Sequence, residues 1–152
     1  MLAASTNQKQ FSVNEDLLTL KYHAIIQEVG PMVEEFLPHG ILIFFGASAP
    51  AELREVSVIH DGSNLIAPLL VGDLLKLILP SGEDSENPQP SWFSITAVGD
   101  MANSNLAELG HLVIHFDGAT TPNLPGTVSV EPALEALPPV GAIFGLYGLE
   151  EK

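Results

Sequence analysis

Histidines are the side chains in this sequence best placed to do chemistry, because the chain has five of them and no cysteine. His60 ends the apolar run VSVI and is followed directly by Asp61 and Gly62, a pair common in turns. The run predicts a strand, so the His60 ring is expected at a strand end, on an accessible rim that a ligand or a partner can reach. The alternative is a structural role, in which the Asp-Gly pair only turns the chain and His60 caps it.

A second pair of histidines, His111 and His115, has the H-x-x-x-H spacing that binds metal when it lies on a helix. Here the residues alternate in a strand-like pattern along HLVIHF, and the β-branched residues favour a strand. Four residues of strand span about 13 Å, too far for two imidazoles to share a zinc at about 2.0 Å from each nitrogen. No metal site is therefore predicted from this pair.

The context of His111 nevertheless differs from that of the other histidines. It follows Gly110 at a predicted helix-to-strand corner, where backbone N–H groups lie close by and no Cβ obstructs approach. His115 lies later in the strand and is predicted at the surface, whereas His23 and His39 have no supporting context. The chain contains no G-x-S-x-G, P-loop or G-x-G-x-x-G motif that would support another chemistry.

The elements that must position these residues are short and mostly strands. Segments of strand length are bounded by glycine and proline, and a few short segments favour helix. The strand candidates are 18–30, 41–46, 56–62, 73–79, 92–100, 111–118, 127–131 and 142–148, and the helix candidates are 31–40, 50–56 and 102–109. This pattern predicts a mostly-β fold, a small barrel or sandwich-like barrel with two or three short helices.

The helix at 102–109 has the clearest start and stop signals. Asp100 is its predicted N-cap, and Gly110 lies where a helix stops. Its predicted buried face comprises Ala102, Leu106 and Leu109.

Length and charge narrow the classes of function. Residues 1–16 are predicted to form a flexible extension and residues 17–152 a single domain, with a polar, acidic loop at 80–91. The net charge is −14, so nucleic acid is a poor partner, and the acidity fits either attraction of a basic protein face or simple solubility. No segment has the features of an export signal or the ~20 apolar residues of a membrane span, which predicts a soluble, cytoplasmic protein.

The stretch from residue 95 to 130 resembles the IIA component of the glucitol/sorbitol-specific branch of the bacterial sugar phosphotransferase system. The motifs that carry the resemblance are TAVG at 96–99, NLAELGH at 105–111, FDG at 116–118 and PGT at 125–127. Upstream, GASAPAELREVSVIHDG resembles the same family's Gly-x-x-x-Pro-x-x-Leu segment, which runs into an apolar-Ile-His sequence.

The resemblance implies a small, mostly-β, cytoplasmic phosphocarrier. Such a protein takes a phosphoryl group from HPr on a histidine and passes it to a cysteine in the IIB part of the membrane permease. The family's phosphorylated histidine falls on His60, and the histidine of ELGH, His111, is implied as a second residue of the site. Donors on Gly62, on Gly110 or on the His111 ring are expected to stabilise the phosphoryl oxygens. No cofactor and no metal are expected.

Two other interpretations stay open. One is a non-catalytic acidic β-barrel that keeps the fold and acts as a regulator or as a binding module for a basic partner. The other is a metal-binding module that uses His60, His111 and acidic residues.

Overall fold

The protein is a closed barrel of eight strands in the computed structural model, which describes residues 13–80 and 90–149. The strands are β1 (Leu18–Val29), β2 (Ile41–Gly46), β3 (Val58–His60), β4 (Leu74–Ile78), β5 (Ser91–Val98), β6 (Leu112–His115), β7 (Thr127–Glu131) and β8 (Ile143–Leu149). Their order around the barrel is β1-β3-β2-β6-β7-β5-β4-β8, and β8 pairs again with β1. The predicted mostly-β barrel is confirmed.

A parallel pairing of β2 with β3 places the candidate site at one end of the barrel. Parallel neighbours need a crossover connection of about a dozen residues. Residues 47–57 supply that crossover, and they include the one-turn helix α2 (Ala51–Arg54). The C-terminal ends of the two strands therefore lie side by side, with Gly46 opposite His60.

Three short α-helices lie in the described part of the chain: α1 (Val33–Phe36), α2 and α3 (Ala102–Leu109). The predicted end of α3 at Gly110 is confirmed, since Gly110 takes the left-handed conformation with φ 66°. The predicted cap at Asp100 is wrong, because the N-cap is Met101, whose N–H donates to the Pro125 carbonyl at 2.7 Å.

The predicted buried face of α3 is correct only for its first two turns. Ala102 and Leu106 are fully buried, but Leu109 is 43% exposed. Ala107 and Glu108 are exposed as well, so the C-terminal turn of α3 faces outward beside the end of β3.

The barrel interior is one apolar cluster to which all eight strands contribute. Burial alternates along β6, where Leu112 and Ile114 are buried while Val113 and His115 are only half-buried. Three aromatic rings of the interior, from Tyr22, Phe44 and Phe144, lie next to the end of β3. The hydrophobic effect therefore builds an apolar wall behind the candidate site.

Contacts with β1 fix both ends of the segment between β3 and β4. Asp61 accepts the N–H of Ile25 at 2.8 Å and donates its own N–H to the Ile25 carbonyl at 3.2 Å. At the other end, Lys21 forms a buried ion pair with Asp73, with 2.6 Å between Nζ and Oδ2. Lys21 also donates to the Pro68 carbonyl at 2.8 Å. The residues that follow His60 are therefore held against β1.

Two expectations from the sequence fall largely outside the described residues. Of the predicted extension 1–16, only residues 13–16 are described, and of the loop 80–91 only its ends, so the division into 1–16 and 17–152 stays a prediction. In the described ranges, no helix combines the length and the apolar character required to cross a membrane.

Candidate functional site

His60 is the last residue of β3, at the end of a strand as predicted, and it borders a surface depression of about 220 Å³. The predicted accessible rim is wrong, however, because the His60 side chain has no exposed area. Three aromatic rings enclose the imidazole from the barrel side. Phe144 and Tyr22 meet it edge-on, with centroids 5.2 and 5.9 Å away, and Phe44 lies at 6.2 Å.

Both ring nitrogens of His60 are hydrogen-bonded to backbone groups. Nε2 lies 2.8 Å from the carbonyl oxygen of Gly110, and Nδ1 accepts the N–H of Gly62 at 3.0 Å. Because a carbonyl oxygen can only accept, the proton belongs on Nε2. These contacts favour the neutral tautomer with its lone pair on Nδ1.

The surroundings of His60 also favour the neutral ring. Burial lowers the pKa of His60 below its usual value, because the charged imidazolium loses hydration. The hydrogen bond to Gly110 and the negative charge of Asp61 oppose this effect, but burial prevails. His60 therefore offers an uncharged nitrogen near neutral pH.

The depression is formed by three chain segments. They are the turn after β2 (residues 46–48), the residues after β3 (61–63) and the C-terminal turn of α3 with its cap (107–110). Asp61 and Glu108 belong to this lining, which contains no lysine or arginine. An anionic group in the depression would rely on neutral donors.

Two glycines allow the turn after β2 to approach α3 closely. A Cβ on Gly46 would lie 2.8 Å from the Leu109 carbonyl oxygen. A Cβ on Gly110 would lie 2.9 Å from the Gly46 nitrogen and 3.0 Å from Cε1 of His60. Only residues without a side chain fit at this contact, which brings the Gly110 carbonyl within reach of His60.

The N–H groups of Gly62 and Gly110, which the sequence analysis named as donors to the phosphoryl oxygens, both already have hydrogen-bond partners. The N–H of Gly62 is bonded to His60, and the N–H of Gly110 is bonded to the Leu106 carbonyl at 3.0 Å. In this arrangement Gly110 contributes its carbonyl, not its N–H, to His60.

His111 lies beside the site and not in it. Its ring stacks on Phe45 with 4.5 Å between centroids, and its Nδ1 lies 3.2 Å from the Phe44 carbonyl oxygen. It is not part of the lining of the depression. Its role as a second site residue stays a prediction.

The side chains of the other histidines are not part of this arrangement, since none of these residues lines the depression. His115 is half-buried on β6, so its predicted surface position holds only in part. His23 and His39 are exposed. In the ranges 13–80 and 90–149, no group of three histidines or acidic residues is arranged to hold a metal ion.

The sequence reasoning missed the enclosing aromatic residues and two serines, Ser48 and Ser63, that border the depression. Ser48 lies in the Gly-x-x-x-Pro segment, which was noted only as a marker of family. Ser63 follows His60 by three residues, and nothing in its neighbours distinguishes it.

Comparison with known proteins gives one consistent result. Residues 21–143 match the family model described as "PTS system glucitol/sorbitol-specific IIA component". The chain is 34% identical over 113 residues to the glucitol/sorbitol-specific EIIA components of Shigella flexneri and of Escherichia coli K12, which covers 74% of this chain and 83% of each relative. The crystal structure of a PTS system IIA component from Enterococcus faecalis V583 shares the fold, with a TM-score of 0.62 and 24% identity, over 80% of this chain and 96% of that one.

Proposed function

This chain belongs to the family of glucitol/sorbitol-specific IIA components of the phosphotransferase system, and we propose that His60 is the residue through which it carries the phosphoryl group. In this proposal phospho-HPr is the donor, the IIB part of the permease is the acceptor, and the transfer takes place in the cytoplasm. The family membership carries the phosphocarrier function. The assignment to His60 rests on one observation: a neutral imidazole at a strand end that borders a surface depression.

The transfer itself is a balanced exchange between two nitrogens. A lone pair of His60 attacks the phosphorus, and the bond from phosphorus to the donor histidine breaks and returns its electron pair to that nitrogen. The phosphohistidine of His60 then loses the group in the same way to the thiolate of the acceptor cysteine. Such a reaction depends on positioning and on stabilisation of the phosphoryl oxygens more than on covalent assistance.

Phosphorylation requires at least one of the two hydrogen bonds of His60 to open. Attack by Nδ1 displaces only the N–H of Gly62, whereas attack by Nε2 displaces the carbonyl of Gly110 and moves the ring proton to Nδ1, which then no longer accepts the Gly62 N–H. Each bond is a neutral one, with a net value of about 0.5–1.5 kcal/mol. A docked partner can offset that cost with a small part of its binding energy.

His111 is proposed to support this site from beside it. Its ring is anchored on Phe45 and on the Phe44 carbonyl, and it directly follows Gly110. A change at His111 is therefore expected to shift the Gly110 carbonyl and slow the transfer without abolishing it.

A labelling assay with matched variants tests the proposal. The protein is incubated with phosphoenolpyruvate, the general phosphotransferase enzyme and HPr, and the label is tested for the acid lability and alkali stability of phosphohistidine. We expect His60→Gln to take no label, His111→Gln to take label more slowly, and His23→Gln to behave as the wild type. A His60→Gln variant that accepts label at the wild-type rate would show that another residue is the carrier.

A second function is favoured by the complete burial of His60. An acidic barrel that only binds or regulates a basic partner would need no exposed nucleophile. That alternative predicts no label on the wild-type protein under any condition, together with binding of HPr or of another basic protein that weakens as salt is added.

A further inference from the structure

The phosphoryl site needs oxygen-directed donors that the sequence did not identify. The N–H groups of Gly62 and Gly110 are engaged, and the lining of the depression has no cationic side chain. Removal of a well-placed donor commonly costs a transfer site much of its rate. The donors must therefore come from other residues that border the depression.

Two serines on different segments meet this requirement. Ser48 lies in the turn after β2, and Ser63 lies in the segment after β3. Both are exposed, and in the described part of the chain neither the N–H nor the hydroxyl of either serine has a hydrogen-bond partner. Each serine thus offers two free donors at the depression that His60 borders.

The orientation of the Ser48 N–H is set by Arg54. The Arg54 guanidinium donates to the carbonyl oxygens of Ala47 at 2.8 Å and of Ala49 at 3.2 Å. Because C=O and N–H point in opposite directions across a trans peptide, the N–H of Ser48 points away from Arg54. A bond from the Ala49 N–H to the Gly46 carbonyl, at 3.1 Å, closes the same turn.

Arg54 is in turn fixed to the sheet. Its Nε and Nη2 donate to the two carboxylate oxygens of Glu28, both at 3.2 Å. Glu28 lies on β1 opposite Ile59, the residue before His60. Through Arg54 and Glu28, the turn that contains Ser48 is therefore fixed to β1, which pairs with β3, the strand that ends in His60.

We infer that Ser48 and Ser63 bind the oxygens of the phosphoryl group on His60, and that Arg54 acts as a positioning residue for Ser48. The inference rests on the proposed function and names the oxygen-binding part of that site. Neutral donors fit a carrier, because a phosphoryl group held by hydroxyl and N–H groups, with no lysine or arginine in the lining, is not bound too tightly to be passed on.

The test compares serine variants with a matched serine elsewhere. Ser48→Ala and Ser63→Ala are measured against Ser104→Ala, which removes a hydroxyl from α3 outside the depression. We expect the single-turnover rate from saturating phospho-HPr to fall about three- to tenfold for each site variant. The concentration of phospho-HPr at half-maximal rate should stay within about twofold, since the hydroxyls act on the transferred group and not on docking.

Two further readouts separate a direct role from a structural one. The ³¹P chemical shift of the phosphoprotein should move in Ser48→Ala and Ser63→Ala and stay fixed in Ser104→Ala. Arg54→Gln should slow the wild type and move its ³¹P shift, and it should slow Ser48→Ala by a similar factor, because the alanine variant keeps the backbone N–H that Arg54 orients.

The outcomes distinguish this inference from the function on which it rests. A wild-type protein that takes no label would overturn both. A labelled wild type whose Ser48→Ala/Ser63→Ala double variant matches Ser104→Ala in rate and in ³¹P shift would overturn the assignment of the two hydroxyls alone. An Arg54→Gln variant that takes label at the wild-type rate with an unchanged ³¹P shift would overturn the positioning role of Arg54 and the use of the Ser48 N–H.

Discussion

At the scale of single residues, the proposed phosphoryl transfer depends on a His60 ring that is uncharged and lies next to the surface. The ring is enclosed by aromatic residues, which exclude water, and it lies behind a small surface depression without being exposed to solvent. Enclosure disfavours the imidazolium, so that the nucleophilic form dominates without help from a neighbouring base. The charge of Asp61 works in the opposite direction and limits the effect.

The lowered pKa of His60 leads to a prediction about pH. We expect the ring to remain neutral at pH values where a free histidine, with a pKa of about 6.5, is half protonated. An NMR titration of the ring signals tests this, with His60→Gln to assign the resonance. A His60 signal that titrates at or above pH 6.5 would contradict it.

The same pKa has a consequence for stability. Between the lowered pKa and about 6.5, the unfolded chain binds the proton of this residue and the folded one does not. The contribution of His60 to the free energy of unfolding is therefore complete above pH 6.5 and declines as the pH falls below it. In urea titrations, His60→Gln should show a smaller decline over that range than the wild type.

At the scale of elements, the site is a junction at which the end of β2, the end of β3 and the cap of α3 meet. Gly110 is central to it, because one residue ends the helix with a positive φ, allows the turn at Gly46 to approach, and gives its carbonyl to His60. The parallel pairing of β2 and β3 is what brings the two strand ends together.

Two glycine substitutions test this junction. Gly110→Ala and Gly72→Ala both force a side chain into a positive φ, of 66° and 97°, at a strain cost of about 1–2 kcal/mol. A Cβ at Gly72 meets nothing within 4 Å, whereas one at Gly110 meets Gly46 and His60 at about 3 Å. We expect Gly110→Ala to lower the free energy of unfolding more than Gly72→Ala does, and to lose phosphoryl acceptance, which Gly72→Ala retains. Equal destabilisation with unchanged labelling would show that the junction tolerates a side chain.

At the scale of the whole molecule, the strongest feature is charge. A net charge of −14 would attract a basic partner, whereas the proposed transfer step takes place among neutral donors. The rate of association with a basic partner and the rate of the transfer step should therefore respond differently to salt.

A rate measurement separates the two. From about 0.01 M to about 0.15 M salt, the screening length falls from about 30 Å to about 8 Å. We expect the second-order rate constant for phosphorylation by phospho-HPr to fall over this range, while the rate at saturating phospho-HPr stays constant. A second-order constant that is independent of salt would mean that the acidity serves solubility and not steering.

Much of this architecture could be predicted from local pattern. The eight strand segments, the helix at 102–109 with its glycine stop, and the strand-like spacing of His111 and His115 depend on alternation and on turn residues, which act over a few positions. The motifs around His60 and ELGH were enough to indicate the family. The predicted cap of α3 was wrong because the chain around Pro125 decides where this helix begins, through the bond from the Met101 N–H to the Pro125 carbonyl. The predicted burial of Leu109 was also wrong, since Leu109 is 43% exposed.

The sequence by itself determined a mostly-β acidic protein with His60 at a strand end followed by a turn. Tertiary structure alone decided that the ring is buried, that Gly110 and Gly62 bind its two nitrogens, and that Ser48 and His60 border the same depression. The reason is distance along the chain. Gly110 lies 50 residues from His60, and contacts of that separation exist only once the strands have paired and the barrel has closed.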